Sequence, residues 1–393
     1  MEKALQGLKV IDLTHAYNGP FCTMLLADNG ADVIKIEPLQ GDQCRQWGPM
    51  DEKSGESGFF AFLNRNKKGI TLNLKEETGL AFFYELVREA DVVVQNYRVG
   101  VAEKLHVDYE SVRQINPAII YAAGSGFGQD SPLARRPCYD IVAQSMGGMV
   151  NLTGFPDASP VKVGPSIADN VTGIYVCVGI LMALYHREKT GEGQAVDVAM
   201  VDTIFSILEN AIVKTTMQGE IPKRQGNIDP SIAPFDIFKC QDGYIALGVG
   251  TDALFEVFCR TIGHAEVLED VRYQTNDSRC QYYTQGLQQL IRDWVQDKKK
   301  RELEALFAQV GIPCGPVLNM KEAIEQPHIQ ARQMMVHVEH PTIGDMYIQG
   351  CPIKFSKTSG SVDRPAPLLG QHTQEVLHLS PEAYKILQDE NII

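Results

Sequence analysis

Residues 8–36 read LKVIDLTHAYNGPFCTMLLADNGADVIKI. Leu8 to Leu13 predicts a strand, a short apolar run closed by polar residues. Phe21 to Asn29 predicts a short helix, opening after Gly19-Pro20 with proline near its first position. Asp32 to Ile36 predicts a second strand. The alternation continues outward. Strands are expected at Ile70 to Leu74, Asp91 to Val94 and Ala118 to Ala122. Helices are expected at Glu77 to Ala90, with apolar residues at 80, 82, 83, 86 and 87, and at Tyr109 to Ile115. Strands alternating with helices give an α/β fold, a Rossmann-like parallel sheet covered on both faces. Dinucleotide chemistry does not follow. After the first strand comes Thr14-His-Ala-Tyr-Asn-Gly-Pro20, in which only Gly19 is present, so the pyrophosphate-binding GxGxxG turn is missing. The P-loop, HExxH and GxSxG patterns are missing as well.

The second half differs in texture. Thr172 to Glu188 predicts a long apolar helix, and Val196 to Met217 another. The segment 219–234 carries two glycines and three prolines, which marks a linker or functional loop. Phe235 to Cys240 and Tyr244 to Val249 flank Gln241-Asp-Gly243, a hairpin signal. Helices then dominate to about Val310, and Met334 to Ser356 suggests a small antiparallel sheet, followed by two short helices. The expected division is a large domain at 1–218, a linker at 219–224, a smaller α+β domain at 225–325 and a return segment at 326–393 that completes the large domain.

A chain of 393 residues, 44% apolar and 22% charged, has ample material for a core. Its net charge of −13 is a poor match for a nucleic-acid coat or a membrane surface. The most apolar stretch, Ile174 to Tyr185, is shorter than the ~20 residues a bilayer needs, so no membrane span is expected. The first residues lack an apolar signal core. Nine cysteines, an odd number with no CxxC pair, argue against a disulfide framework or zinc ribbon and for a cytoplasmic setting.

Asp169 stands just before the long apolar helix. From local sequence it reads first as an N-cap, which satisfies an orphan N–H, and this is compatible with a carboxylate nucleophile that attacks an activated acyl carbon. Arg65, Lys67, Lys68, Lys75, Arg98, Lys104, Arg135 and Arg136 fall around the strand ends, where positive side chains can hold phosphates or simply face solvent. Lys298-Lys-Lys-Arg301 reads as a solvent-facing run. His15 lies in the loop after the first strand, as a turn former or a ligand contact. The other histidines show no metal spacing. Gly124-Ser-Gly-Phe-Gly128 and Gly147-Gly148 permit close backbone approach.

Taken in order, a further set of segments resembles the class III CoA-transferases, the formyl-CoA and crotonobetainyl-CoA transferase group. They are Asn18-Gly-Pro20, Leu26 to Pro38, Gly41-Asp42 with Arg45, Asn64 to Lys68, Leu72 to Lys75, Gln95 to Arg98, Ser125 to Gly128 and Tyr139-Asp140. Thr153-Gly154, Ala168-Asp169, Thr190 to Gly193 with Asp197 to Met200, Ile312 to Val317 and Pro367 to Thr373 complete the set. The pattern is nearest to the oxalate-acting members, with glutarate-acting likeness in the last segments. The resemblance implies that Asp169 is the catalytic nucleophile. It implies CoA contacts at Tyr17, Asn18, Leu72, Asn73, Leu74, Lys75, Asn96, Tyr97, Arg98, Lys104, Pro137, Cys138, Tyr139 and Asp140. His15, Tyr17, Tyr139, Gly248 and Gly250 are the expected substrate contacts, the N–H groups near Gly248 to Gly250 serving oxyanions. No metal or redox cofactor is required, since coenzyme A or an acyl-CoA is itself a substrate. The implied partners are an acyl-CoA, a small carboxylic acid and a second copy of the chain in an interlocked, ring-like homodimer, with no nucleic acid and no membrane. Pro38, Pro137 and Tyr17 depart from the formyl-CoA-acting members and point away from formyl-CoA as donor. Two alternatives belong to other classes. One is an acyl-CoA racemase of the α-methylacyl type, which needs acid/base groups on both faces of a carbon; that branch has a histidine where Tyr139 stands here. The other is a non-catalytic CoA-binding protein, against which an intact Asp169 argues.

Overall fold

The computed structural model describes residues 2–393. Six strands form one parallel sheet: β1 (Lys9–Asp12), β2 (Asp32–Glu37), β3 (Lys68–Thr71), β4 (Val92–Gln95), β5 (Ile120–Ser125) and β6 (Gln194–Ala199), in the order β3-β2-β1-β4-β5-β6. The order reverses between β1 and β4. Chain leaving these strands at their carboxyl ends diverges there and opens a crevice. The helices of this unit begin α1 (Asn18–Asp28), α2 (Gly58–Leu63), α3 (Glu77–Glu89), α4 (Val101–Lys104) and α5 (Tyr109–Ile115). They continue α6 (Asp140–Met146), α8 (Ile167–Thr190) and α9 (Met200–Ser206), while α7 (Met149–Leu152) leads out of this unit.

The central strands are buried on both faces, and their side chains sort by period two. Val10 of β1 with Val92 and Val94 of β4 packs on Cys22 and Leu26 of α1 and on Val176, Ile180 and Ala183 of α8. Ile11 and Val93 face the other way, onto Phe83 and Val87 of α3, Val112 of α5 and the terminal Ile392 and Ile393. Gly173 sets the approach of α1 to α8, because a Cβ there would lie 2.6 Å from the Asn18 carbonyl oxygen. This contact places the start of α1 against the start of α8.

Three differences from the sequence reading stand out. The helix expected over 196–217 is three elements: β6, α9 and α10 (Asn210–Gln218). Gln194-Ala-Val-Asp-Val-Ala199 pairs with β5 from Ile120↔Gln194 to Ser125↔Ala199, so the sheet claims it, and Glu209 at φ 49° separates the two helices. β5 starts two residues late, after the Asn116 amide has bonded the carbonyls of Val87 and Ala90. α8 reaches from Ile167 to Thr190, and its most apolar window has a mean hydropathy of 1.8. By length and composition it is able to cross a membrane, which corrects the expectation drawn from 174–185. Its Ala168, Thr172, Gly173, Val176, Ile180 and Ala183 are nevertheless buried against α1 and the sheet, as in a core helix.

The compact units are 1–149 with 162–210 and 327–393, and 150–161 with 211–326. The second takes in 150–161 and 211–218, which the sequence reading gave to the large domain. There the Arg224 guanidinium donates to the carbonyls of Asn151, Phe155 and Ala158 and ties 150–161 to the connector. This unit holds an antiparallel sheet, β7 (Phe235–Cys240), β8 (Gly243–Gly248) and β9 (Cys314–Pro316), in that order. Phe238, Phe255, Phe258 and Phe307 fill its core. Lys300 is buried and paired with Glu322, so the run 298–301 is not wholly solvent-facing. In the first unit, β10 (Met335–His340) and β11 (Gly344–Gln349) form a hairpin. The tail then returns to the edge of β3, where His372 N–H donates to the Gly69 carbonyl and Thr71 N–H to Thr373 Oγ1.

Candidate active site

The loop 14–17 rests on a cluster of buried opposite charges. Asp12, at the end of β1, accepts from Thr14 N–H at 2.9 Å, Thr23 Oγ1 at 2.6 Å and Lys67 Nζ at 3.0 Å. Lys35 Nζ donates to the Thr14 carbonyl at 2.8 Å and to Asp42 Oδ2 at 3.1 Å. Asp42 Oδ1 in turn accepts from Ala16 N–H. Burial alone pushes the Asp12 and Asp42 carboxyls up. The Lys67 and Lys35 charges reverse this for Asp12, holding it below the usual carboxylate range, and Lys35 holds Asp42 at about 2. Ala16 sits at φ 61°, a left-handed conformation that this anchoring sustains.

These pairings correct part of the basic constellation. Lys67 is buried beside Asp12, and Arg65 is buried in a two-pronged pair with Asp28 at 3.1 and 2.7 Å. Lys68 pairs with Asp32. Arg65 and Lys67 thus hold the fold together, while the Lys68 pair is partly exposed. Lys75, Arg98, Lys104, Arg135 and Arg136 are exposed.

Asp169 is the third residue of α8, whose N-cap is Ser166, so it does not cap its own helix. Its carboxylate is half-buried. Asn18, the first residue of α1, reaches it with the side-chain amide at 3.3 Å and also through its backbone. Burial, and then the charge of Asp140, push the Asp169 carboxyl up to about 7, and the Asn18 hydrogen bonds only partly oppose this. The Asn18 amide is itself oriented. Its oxygen accepts from Asn96 Nδ2 at 3.1 Å, and Asn96 brackets His15 by accepting from its N–H and donating to its carbonyl. Asn96, expected to contact CoA, thus spends its side chain on this relay. Tyr17 donates from its hydroxyl to Asn170 Oδ1 at 3.0 Å, and its ring packs on Phe21, Phe59 and Phe62. The Phe59-Phe-Ala-Phe62 cluster was visible in the sequence but carried no signal of its place here.

Beside the loop, at the carboxyl ends of β2 and β3, lies a cleft of about 290 Å³ lined in part by His15, Pro38, Leu72, Asn73, Leu74, Lys75, Tyr97 and Leu105. Five of the expected CoA contacts, Leu72 to Lys75 and Tyr97, meet there. The His15 ring packs 5.2 Å from Tyr97, and burial holds its pKa below the ordinary value. Lys104 is the neighbour of Leu105, and Arg98 follows Tyr97. Cys138 is half-buried, and burial followed by the Asp169 charge pushes its thiol up to about 11. Pro137 and Tyr139 are exposed, Tyr139 heading α6. Asp140, grouped with them in the sequence, is buried and caps α8: its Oδ1 accepts from Ala168 N–H at 2.8 Å. Gly248 and Gly250 lie at the end of β8 in the second unit. Gly248 N–H donates to the Pro313 carbonyl and Val249 N–H to that of Pro234, so these two groups, expected to await an oxyanion, are already bonded.

A family model described as CoA-transferase family III matches residues 5–373. The chain is 40% identical over 368 residues to an acetyl-CoA:oxalate CoA-transferase of Acetobacter aceti, covering 93% of this chain and 92% of that one. It is 38% identical over 382 residues to a succinyl-CoA:mesaconate CoA-transferase of Haloarcula marismortui, covering 95% and 96%. The crystal structure of a CaiB/BaiF family protein from Brucella suis matches with a TM-score of 0.85 at 35% identity, over 96% of this chain and 99% of that one.

Proposed function

The chain belongs to CoA-transferase family III, and from that premise we propose that it moves CoA from an acyl-CoA to a small dicarboxylic acid, oxalate- or succinate-like, through covalent intermediates on Asp169. The observation that carries this reading is the half-buried Asp169 carboxyl, held by Asn18 at the start of α1 and poised near pH 7 between its neutral and ionised forms. The ionised form attacks the donor thioester carbon and gives an acyl-aspartyl anhydride and CoA thiolate. The thiolate attacks the aspartyl carbonyl, releasing the donor acid and leaving an enzyme–CoA thioester. The acceptor carboxylate then attacks that thioester and forms a new anhydride, from which the thiolate takes the acyl group. Splitting one transfer into such steps is what a carboxylate nucleophile supplies.

For CoA, the cleft at the ends of β2 and β3 supports contacts from Leu72 to Lys75 and Tyr97, with Lys75, Arg98 and Lys104 as exposed cations for phosphates. For the acceptor, the two relatives are named for oxalate and mesaconate, both dicarboxylates. The Tyr17 hydroxyl beside Asn170 and the His15 ring at the cleft are the polar partners proposed for a second carboxylate, which needs them when buried. A homodimer is part of the proposal. One face of α8 presents Ile174, Val178, Leu181, Met182 and Tyr185 uncovered, an apolar stripe of the kind that marks a protein interface. A cytoplasmic setting fits the nine free cysteines.

The test is a matrix of acyl-CoA donors against carboxylic acids, read by mass spectrometry, run with the natural chain and with Asp169→Asn. The variant should bind CoA and transfer it at least ~10³-fold more slowly, as loss of a covalent route predicts. Near-normal turnover in it refutes the mechanism. C2–C5 diacids should outperform long-chain acids by ~10²-fold or more; equal rates refute the substrate assignment alone.

A further inference from the structure

Asp140 begins α6 and is buried, and both of its carboxylate oxygens are engaged within the fold. Oδ1 accepts from Ala168 N–H at 2.8 Å, and Oδ2 accepts from Gln144 Nε2 at 2.7 Å. Gln144 is also fully buried, and its Oε1 accepts from Val163 N–H at 2.9 Å. The carboxylate is therefore fixed by α6 on one side and by the approach to α8 on the other. Ala168 immediately precedes Asp169, and the helix's own N-cap, Ser166, makes no side-chain cap bond. The cap of α8 is supplied from α6, and it brings a negative charge to the turn that carries Asp169.

The groups that face Asp169 come from several elements. Asn18 of α1 donates to it, Tyr17 and the Cys138 thiol are electrostatic neighbours, and Asp140 is the carboxylate among them. Burial pushes both the Tyr17 hydroxyl and the Cys138 thiol up, so neither competes as an anion near neutral pH.

We propose that Asp140 is a positioning residue for the nucleophile, fixing the first turn of α8 through the Ala168 N–H and holding against Asp169 a negative charge that is relieved whenever Asp169 becomes neutral. This rests on the reading of Asp169 as nucleophile. In the first step an Asp169 oxygen attacks the thioester carbon, the new C–O bond forms, the C–S bond breaks and the electron pair leaves on sulfur as CoA thiolate. The negative charge thus moves from Asp169 to the thiolate. Asp140 repels the ionised Asp169, but has no such charge to repel in the acyl-aspartyl anhydride or in the aspartyl–CoA thioester. The surroundings that favour a proton on Asp169 favour an acyl group or CoA there for the same electrostatic reason. The residue grouped with the CoA contacts by sequence thereby acts through another residue.

The test uses the full chain with Asp140→Asn, which removes the charge and keeps an oxygen for the Ala168 N–H, and with Asp140→Ala, which removes both. The pH dependence of kcat/KM reads the titration of the free enzyme. In both variants its acidic midpoint should fall by at least about half a unit, a threefold change in the protonation equilibrium. The fraction of enzyme trapped as aspartyl–CoA thioester after acid quench, read by intact-protein mass spectrometry, should fall several-fold. Asp140→Ala should also lose kcat at every pH, whereas Asp140→Asn should recover most of that loss near pH 6. Either variant, once shown folded by circular dichroism, carries the test. A midpoint and a trapped fraction that match the natural chain overturn the inference. Asp169→Asn in parallel separates the two claims: turnover in it defeats the nucleophile itself, while an inert Asp169→Asn with unshifted Asp140 variants defeats only the role of Asp140.

Discussion

Replacing Asp169 with Asn removes a charge that the fold disfavours, while retaining an oxygen for the Asn18 amide. The Asp169 carboxyl is raised from 3.8 to about 7, by burial first and by Asp140 second. In the unfolded chain the group ionises near its ordinary value, so folding takes up a proton between about pH 4 and pH 7. Over that interval the unfolded state binds fewer protons than the folded one, and the natural chain loses stability as pH rises. Each pKa unit corresponds to about 1.36 kcal/mol, so the three-unit shift amounts to about 4 kcal/mol once the pH exceeds 7. Asn is neutral in both states and escapes this penalty. The variant should therefore match the natural chain below pH 4, pull ahead through pH 5 and 6, and level off at up to about 4 kcal/mol more stable at pH 8. Urea unfolding of both proteins at pH 4, 6 and 8, followed by circular dichroism and by exchange of the α8 amides, measures this. A stability difference that does not change with pH, or a variant less stable at pH 8, refutes the claim that the fold holds the Asp169 carboxylate against an electrostatic penalty.

Three further outcomes follow from the same geometry. Asn18→Ala removes a charge-assisted donor worth about 1.5–3 kcal/mol, so the acidic midpoint of kcat/KM should rise and transfer at pH 6 should fall at least tenfold; an unmoved pH profile contradicts the contact. Lys75→Ala and Lys104→Ala should each weaken CoA binding by about 1–3 kcal/mol in calorimetry without changing the unfolding midpoint, and unchanged affinity in both would mean that these lysines face only solvent. Arg65→Met should do the reverse. It strands the buried Asp28 carboxylate and should destabilise the fold by about 3–5 kcal/mol, while CoA affinity of the folded fraction stays within twofold.

Local pattern determined much of this protein. The strands at 8–13, 32–36 and 91–94, the helices at 77–90 and 109–115 and the Gln241-Asp-Gly243 turn each announce themselves through periodicity or turn chemistry within a few residues, because a strand or helix must bury one of its faces. The ordered segments from Asn18 to Thr373 carried the family, and within it Asp169. Other features depend on contacts between residues far apart in the chain. The segment 194–199 becomes a strand because β5 offers an open edge, which no window around Val196 contains. Arg65 and Lys67 look like phosphate ligands until Asp28 and Asp12 are seen opposite them; only folding decides whether a cation meets a carboxylate or solvent. Asp169 looks like a helix cap until Asp140, twenty-nine positions earlier, takes that role. The protonation balance of Asp169 has the same origin. It is set by burial and by a charge brought across from α6, and those are properties of the space around Asp169, which the residues beside it in the chain do not encode.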